Sequence, residues 1–139
     1  MERCDKQAVN RVDGGCFCGA VRFQVTLPSK WCAHCHCSMC RRIHGAGYVT
    51  WAGFESAGFE VTRGAENLHW FESSPGARRG SCAHCHSNML FESQRWPGET
   101  HVALGCLDGK IDRTPQAHVN YDTHVDWMAV DENLSIHSS

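Results

Sequence analysis

No apolar run in this sequence approaches the roughly 20 residues needed to cross a bilayer, which argues against a membrane-spanning helix. No charge of one sign prevails either: 13 basic residues stand against 15 acidic ones, a formal net charge of −2. General nucleic-acid binding calls for a basic surface to neutralise phosphates, so that class is disfavoured too. The opening residues, MERCDKQAVN, lack the apolar centre of a signal peptide, and the expected location is the cytoplasm. Linkers and low-complexity tracts are missing, and prolines number only 4. At 139 residues, with 42% hydrophobic content, the chain is expected to fold as one domain over 1–139 around a packed core.

Short alternating segments dominate what remains. Ala20–Thr26 (AVRFQVT) sends Val21, Phe23 and Val25 one way and Arg22 and Gln24 the other, the pattern of a half-buried strand that Pro28 ends. Further short strands are expected over 48–51, 59–62, 68–73, 89–92 and 100–104, separated by glycine or proline breaks. Asp13-Gly14-Gly15 reads as a turn, 38–44 as one or two helical turns, 118–121 and 127–130 as late strands, and 135–139 as a frayed end. The expected fold class is mostly β.

Cysteine is the residue in excess, with 10 copies. A disulfide scaffold needs an oxidising compartment that nothing here indicates, and C-x-C pairs strain the bridge. Clustered cysteines in a reducing compartment point instead to metal. Cys82-Ala83-His84-Cys85 can present two thiolates from a tight turn, and Cys16-Phe17-Cys18 can do so from an extended bend. Two such pairs would close a four-sulfur zinc site between distant parts of the chain.

The middle group, Cys32, Cys35, Cys37 and Cys40, admits three readings on spacing. All four could close a second structural site. Cys32 and Cys35 could pair with Cys82 and Cys85 as a zinc ribbon, since CAHCH occurs at both 32–36 and 82–86. Or Cys35, Cys37 and Cys40 could hold zinc with a fourth position open, which is the catalytic pattern. Spacing alone favours a closed site.

The segments GGCFCGAVRF from Gly14, CHCSMCRR from Cys35 and CAHC from Cys82 together resemble the glutathione-dependent formaldehyde-activating enzyme family, which includes centromere protein V. The resemblance spans about 14–131 and implies a β-tent (Mss4-like) fold with two zinc ions. It implies Cys16, Cys18, Cys82 and Cys85 as structural zinc ligands and Cys35, Cys37 and Cys40 as a three-ligand catalytic zinc site. Cys32 then becomes a nearby free thiol, which reverses the preference drawn from spacing. His86 stands where the family usually has glycine, so a differently shaped turn is expected there.

Three thiolates leave a zinc site with net charge near −1, a poor centre for hydrolysis but one able to hold a substrate thiol as thiolate. The implied reaction is that of a carbon–sulfur lyase joining a small thiol such as glutathione to an aldehyde. Arg41 and Arg42 are candidates to offset the charge or to hold a substrate anion. His34, His36, His44, His84 and His86 read as residues that orient backbone or donate to zinc-bound sulfur, with proton transfer by His36 or His44 the alternative, and Cys106 reads as a small buried apolar residue. Trp31, Trp51, Trp70, Trp96 and Trp127 read as core or pocket wall. The competing expectation is a non-catalytic, zinc-stabilised protein-interaction module. Dithiol redox catalysis lacks its βαβ context, and zinc deamination lacks an H-x-E before P-C-x-x-C.

Overall fold

The computed structural model describes residues 10–139; Cys4, expected as an exposed tail thiol, lies outside them. Among the described residues eleven strands and one short α-helix follow in the order β1 (Arg11–Gly15), β2 (Arg22–Thr26), β3 (Trp31–Cys35), α1 (Ser38–His44), β4 (Val49–Glu55), β5 (Glu60–Arg63), β6 (Leu68–Ser74), β7 (Ala77–Cys82), β8 (Asn88–Ser93), β9 (Glu99–Ala103), β10 (Ala117–Val119) and β11 (Ser135–Ile136). They form a small sheet ordered β1-β2-β5 and a large one ordered β11-β10-β3-β4-β9-β8-β7-β6. The fold is mostly β, as its sequence implies.

The expected strand at Ala20–Thr26 is observed as β2, with Phe23 and Val25 buried and Arg22 and Gln24 half-exposed. Its apolar face and Val12 pack on Ala52, Phe54, Leu90 and Val102 of the large sheet. Within β4 Trp51, Ala52, Gly53 and Phe54 form a continuous apolar run because this stretch is buried on both faces. On its second face Val49 and Trp51 join Ala103, Cys35 and Cys40 in a smaller cluster. The large sheet therefore carries a distinct apolar assembly on each side.

Three local expectations fail for identifiable reasons. Asp13-Gly14-Gly15 is not a turn but the end of β1, because the Phe23 ring of the paired strand packs onto Gly14. A Cβ there would lie 2.7 Å from that ring and from the Cys106 carbonyl oxygen. Residues 127–130 form no strand; β10 is paired instead with β3 and β11. Trp127 is left 68% exposed. Ser135 and Ile136, expected to fray, instead pair in parallel with Ala117 and His118.

Candidate metal centres

Two sets of cysteines have come together: Cys16, Cys18, Cys82 and Cys85 in one, Cys35, Cys37 and Cys40 in the other, with all sulfurs of a set within 4.8 Å of each other. Measured separations are 3.7 Å for Cys16–Cys18, 3.8 Å for Cys18–Cys82 and 3.7 Å for Cys35–Cys40. Sulfurs bound tetrahedrally at 2.3 Å from one zinc ion stand about 3.8 Å apart, whereas a disulfide brings them to about 2.05 Å. An all-sulfur donor set at this spacing suits a soft divalent ion.

The four-cysteine set joins the two sheets. Cys16 and Cys18 lie on the bend after β1, where Gly19 takes a left-handed φ of 83°. Cys82 ends β7, and Cys85 follows on a tight turn closed by the His86 N–H donating to the Cys82 carbonyl at 2.9 Å. The donors reaching these sulfurs are neutral. The Val21 N–H lies 3.3 Å from Cys16 Sγ, the His84 and Cys85 N–H groups lie 3.3 and 3.4 Å from Cys82 Sγ, and the Ser87 hydroxyl lies 3.2 Å from Cys85 Sγ. The hydroxyl of Ser87 and then backbone N–H groups pull the Cys85 thiol down to about 5 against the opposing effect of burial.

His86 holds this turn at φ 64°, the region that glycine occupies without cost. A side chain there costs about 1–2 kcal/mol. His86→Gly is therefore expected to stabilise the protein by about 0.5–1 kcal/mol, a rise of a few degrees in a thermal melt. An unchanged or lower melting temperature would mean that the imidazole contributes something the turn needs.

The three-cysteine set is local. Cys35 ends β3, Cys37 caps α1 by accepting the Cys40 N–H at 3.2 Å, and Cys40 lies on the helix's buried side. The capping sulfur and the left-handed Gly45 at the other end explain why so short a helix forms here. Contacts from Cys35 and then Cys40 draw the Cys37 thiol far below its ordinary 9.0, while Cys37 and then Cys40 push Cys35 up.

Each of the three sulfurs is met by nitrogen donors from one residue. Cys37 has the Cys40 N–H, and Cys35 has the Asn120 side-chain amide at 3.2 Å. Cys40 has both terminal nitrogens of Arg79 at 3.6 Å. Parallel pairing of β10 with β3 sets Val119 opposite Cys35, and so delivers Asn120 to that sulfur. Neither Asn120 nor Arg79 was legible as a site residue. Arg79 had one signal: of two consecutive residues in a strand, one must face inward, so one of Arg78 and Arg79 had to be buried.

The other sequence candidates are distributed as follows. Arg42 is exposed and Arg41 half-buried, its Nε buried without a partner. Among the described residues the guanidinium that reaches a sulfur of the triad is that of Arg79. Cys32 is 1% exposed in the core between the sheets, while Cys35 belongs to the opposite cluster. Three residues apart on one strand, their side chains leave by opposite faces, so this C-x-x-C cannot close on a single ion. Cys106 is half-buried between the two clusters, and burial raises its thiol to about 11. Trp51 is buried, Trp31 and Trp70 are partly so, and Trp96 and Trp127 are exposed.

Beneath the triad His36 and His118 are both buried, with His36 Nε2 2.8 Å from His118 Nδ1 and His118 Nε2 2.9 Å from the Asp131 carbonyl. A carbonyl only accepts, so His118 donates to it and His36 donates to His118, leaving His36 Nδ1 bare. Burial, then His118, lowers His36 to about 4; burial, then Arg79, does the same for His44. Both imidazoles are neutral at pH 7. His34 accepts from or donates to Thr50 Oγ1 at 2.8 Å. A shallow groove of about 730 Å³ lined by Trp70, Arg78, Glu92 and Trp96 contains no cysteine and has no part in either set.

Two sheets joined by a closed group of four sulfurs, with a separate group of three at the start of a helix, define a class of β proteins able to hold metal ions at cysteine clusters. The chain belongs to the glutathione-dependent formaldehyde-activating enzyme family, whose profile matches residues 11–123. A Halomonas elongata protein provisionally given that enzyme's name is 30% identical over 128 residues, covering 86% of this chain and 81% of its own. The crystal structure of a Rhodobacter sphaeroides protein superposes with a TM-score of 0.61 at 32% identity, covering 73% of this chain and 92% of that one.

Proposed function

We propose that the protein is a zinc-dependent carbon–sulfur lyase that makes and breaks adducts between a small thiol and an aldehyde, with glutathione and formaldehyde the first pair to test. The observation that carries this reading is the difference between the two cysteine groups: four sulfurs with neutral donors, against three of which one, Cys40, contacts a buried guanidinium. In this reading each chain, a single β-tent domain over 1–139, binds two zinc ions. Cys16, Cys18, Cys82 and Cys85 hold one, and Cys35, Cys37 and Cys40 hold the other with one position left for substrate. Zinc at the second group would supply the positive charge that makes a thiol in that position give up its proton.

The chain's own residues hold the donor sulfurs in place. The Cys40 N–H orients Cys37, Asn120 orients Cys35 and Arg79 orients Cys40. Arg41 and Arg42, which follow the last sulfur on α1, are the candidates to contact a substrate carboxylate. In the reaction the S–H bond of the thiol breaks, a carbon–sulfur bond forms at the aldehyde carbon, and a proton passes to the carbonyl oxygen. Nothing is oxidised, so no redox partner is required.

Carbon-13 exchange spectroscopy tests this directly, with labelled formaldehyde and glutathione held at equilibrium. Added protein is expected to speed interconversion of hydrated formaldehyde and the thiol adduct, and metal-stripped protein is not. If no thiol in a panel of small thiols shows acceleration, the zinc-stabilised interaction module takes over as the better account.

A further inference from the structure

Arg79 is 5% exposed, and among the described residues it has no carboxylate within ion-pair distance. An unpaired guanidinium is costly to bury, so a counter-charge has to be found nearby. Its surroundings are Cys40 Sγ, 3.6 Å from both terminal nitrogens, the Ser73 hydroxyl at 3.3 Å from Nε, and the face of Phe91, whose centroid is 4.9 Å away. The neighbouring Arg78 has solved the same problem in the ordinary way. It lies at the surface over Trp70 and pairs with Glu92 at 2.8 Å. The anion that Arg79 faces is the cysteine triad.

Charge bookkeeping gives this contact a purpose. Three thiolates outweigh a divalent ion by one negative charge, and a thiolate arriving as fourth ligand doubles the excess. Arg79 removes one of those charges from inside the protein, where screening is weak. Its plane is fixed from below by Phe91, which is its cross-strand partner on β8, and from the side by Ser73. Arg41 and Arg42 are attached to the helix rather than the sheet and make no such contact among the described residues.

We infer that Arg79 is the positioning residue that lets the three-cysteine site accept an anionic sulfur ligand, so that the site prefers thiolates to neutral ligands. The inference rests on the proposal that this group is an open metal site. It adds a selectivity that the cysteines alone would oppose.

The test uses the full chain loaded with cobalt(II), titrated separately with 2-mercaptoethanol, a thiol without other charges, and with neutral imidazole, while the cobalt absorption is followed. Arg79→Met is expected to weaken 2-mercaptoethanol binding by about tenfold or more and to leave imidazole binding within about twofold. Arg79→Lys, which keeps the charge, is expected to retain thiol binding within about fivefold. If Arg79→Met fails to fold, Arg79→Gln gives the same comparison with a hydrogen-bond donor retained. Equal weakening of both ligands, or a Lys variant as weak as the Met variant, overturns the inference by showing that Arg79 acts through packing. Unchanged thiol affinity in a metal-loaded Met variant overturns it while leaving the open site standing. No response of the wild type to either 2-mercaptoethanol or glutathione removes the open site itself, and the inference with it.

Discussion

Cys82→Ser and Cys85→Ser are expected to leave the protein unable to fold stably. Cys82 is fully buried at the end of β7, and its sulfur lies 3.8 Å from that of Cys18, 64 positions earlier in the chain. A metal ion shared by these residues would fasten the small sheet to the large one across that interval. Structural zinc contributes on the order of 10–16 kcal/mol in zinc-finger peptides. A domain of this size has only about 5–15 kcal/mol of total stability, so losing one ligand threatens most of it. Thermal melts with metal analysis on the same samples check this. The expected result is aggregation or loss of the cooperative transition, together with lost zinc. A variant melting within a few degrees of the wild type would show that the sheets are held by their apolar contacts alone.

Cys37→Ser should behave in the opposite way. All three sulfurs of its group come from one short stretch, Cys35 to Cys40, so a metal ion there would fasten nothing distant. Serine is also a good helix cap, and its hydroxyl can accept the Cys40 N–H in place of the sulfur. The fold should therefore survive with a melting temperature within several degrees of the wild type and one zinc retained. Adduct exchange between glutathione and formaldehyde should fall by about 10³-fold, on the scale of removing one preorganised electrostatic group from an active site. Equal collapse of Cys37→Ser and Cys82→Ser would make both groups structural. Full activity in Cys37→Ser would place the chemistry elsewhere.

The legible parts of the molecule were those where a local rule acts alone. The alternation in β2 survives because one of its faces packs on the core, and α1 announces itself through a capping position followed by Gly45. The division of seven cysteines into groups of four and three followed the resemblance, and the sulfurs do gather in those groups. Spacing alone preferred a closed middle group because it treated Cys32 as equivalent to its neighbours. The same C-x-x-C spacing is a turn at Cys82–Cys85 and part of a strand at Cys32–Cys35, and only the turn aims both sulfurs one way. That distinction depends on β3 being held between β4, the next strand, and β10, which is remote in sequence.

Arg79 and Asn120 stayed hidden for a related reason. Arg79 reaches the three-cysteine group from β7 and Asn120 from just past the end of β10, 39 and 85 positions away from the sulfur each touches. No periodicity in the chain records those distances. The segment around Trp127 forms no strand although the outer edge of β11 is free, and nothing in the local sequence separates it from the segments that do pair.

The central claim is that one cysteine group is closed and the other open to a thiol. Zinc-edge X-ray absorption of the fully loaded protein, with zinc counted per chain on the same sample, tests it most directly. The account predicts about two zinc ions per chain and an average of between three and four sulfur neighbours per zinc, with a lighter atom making up the difference. Saturation with thiol should raise that average to about four and remove the lighter neighbour. A sulfur count of four before any thiol is added, or one that stays unchanged afterwards, would contradict it.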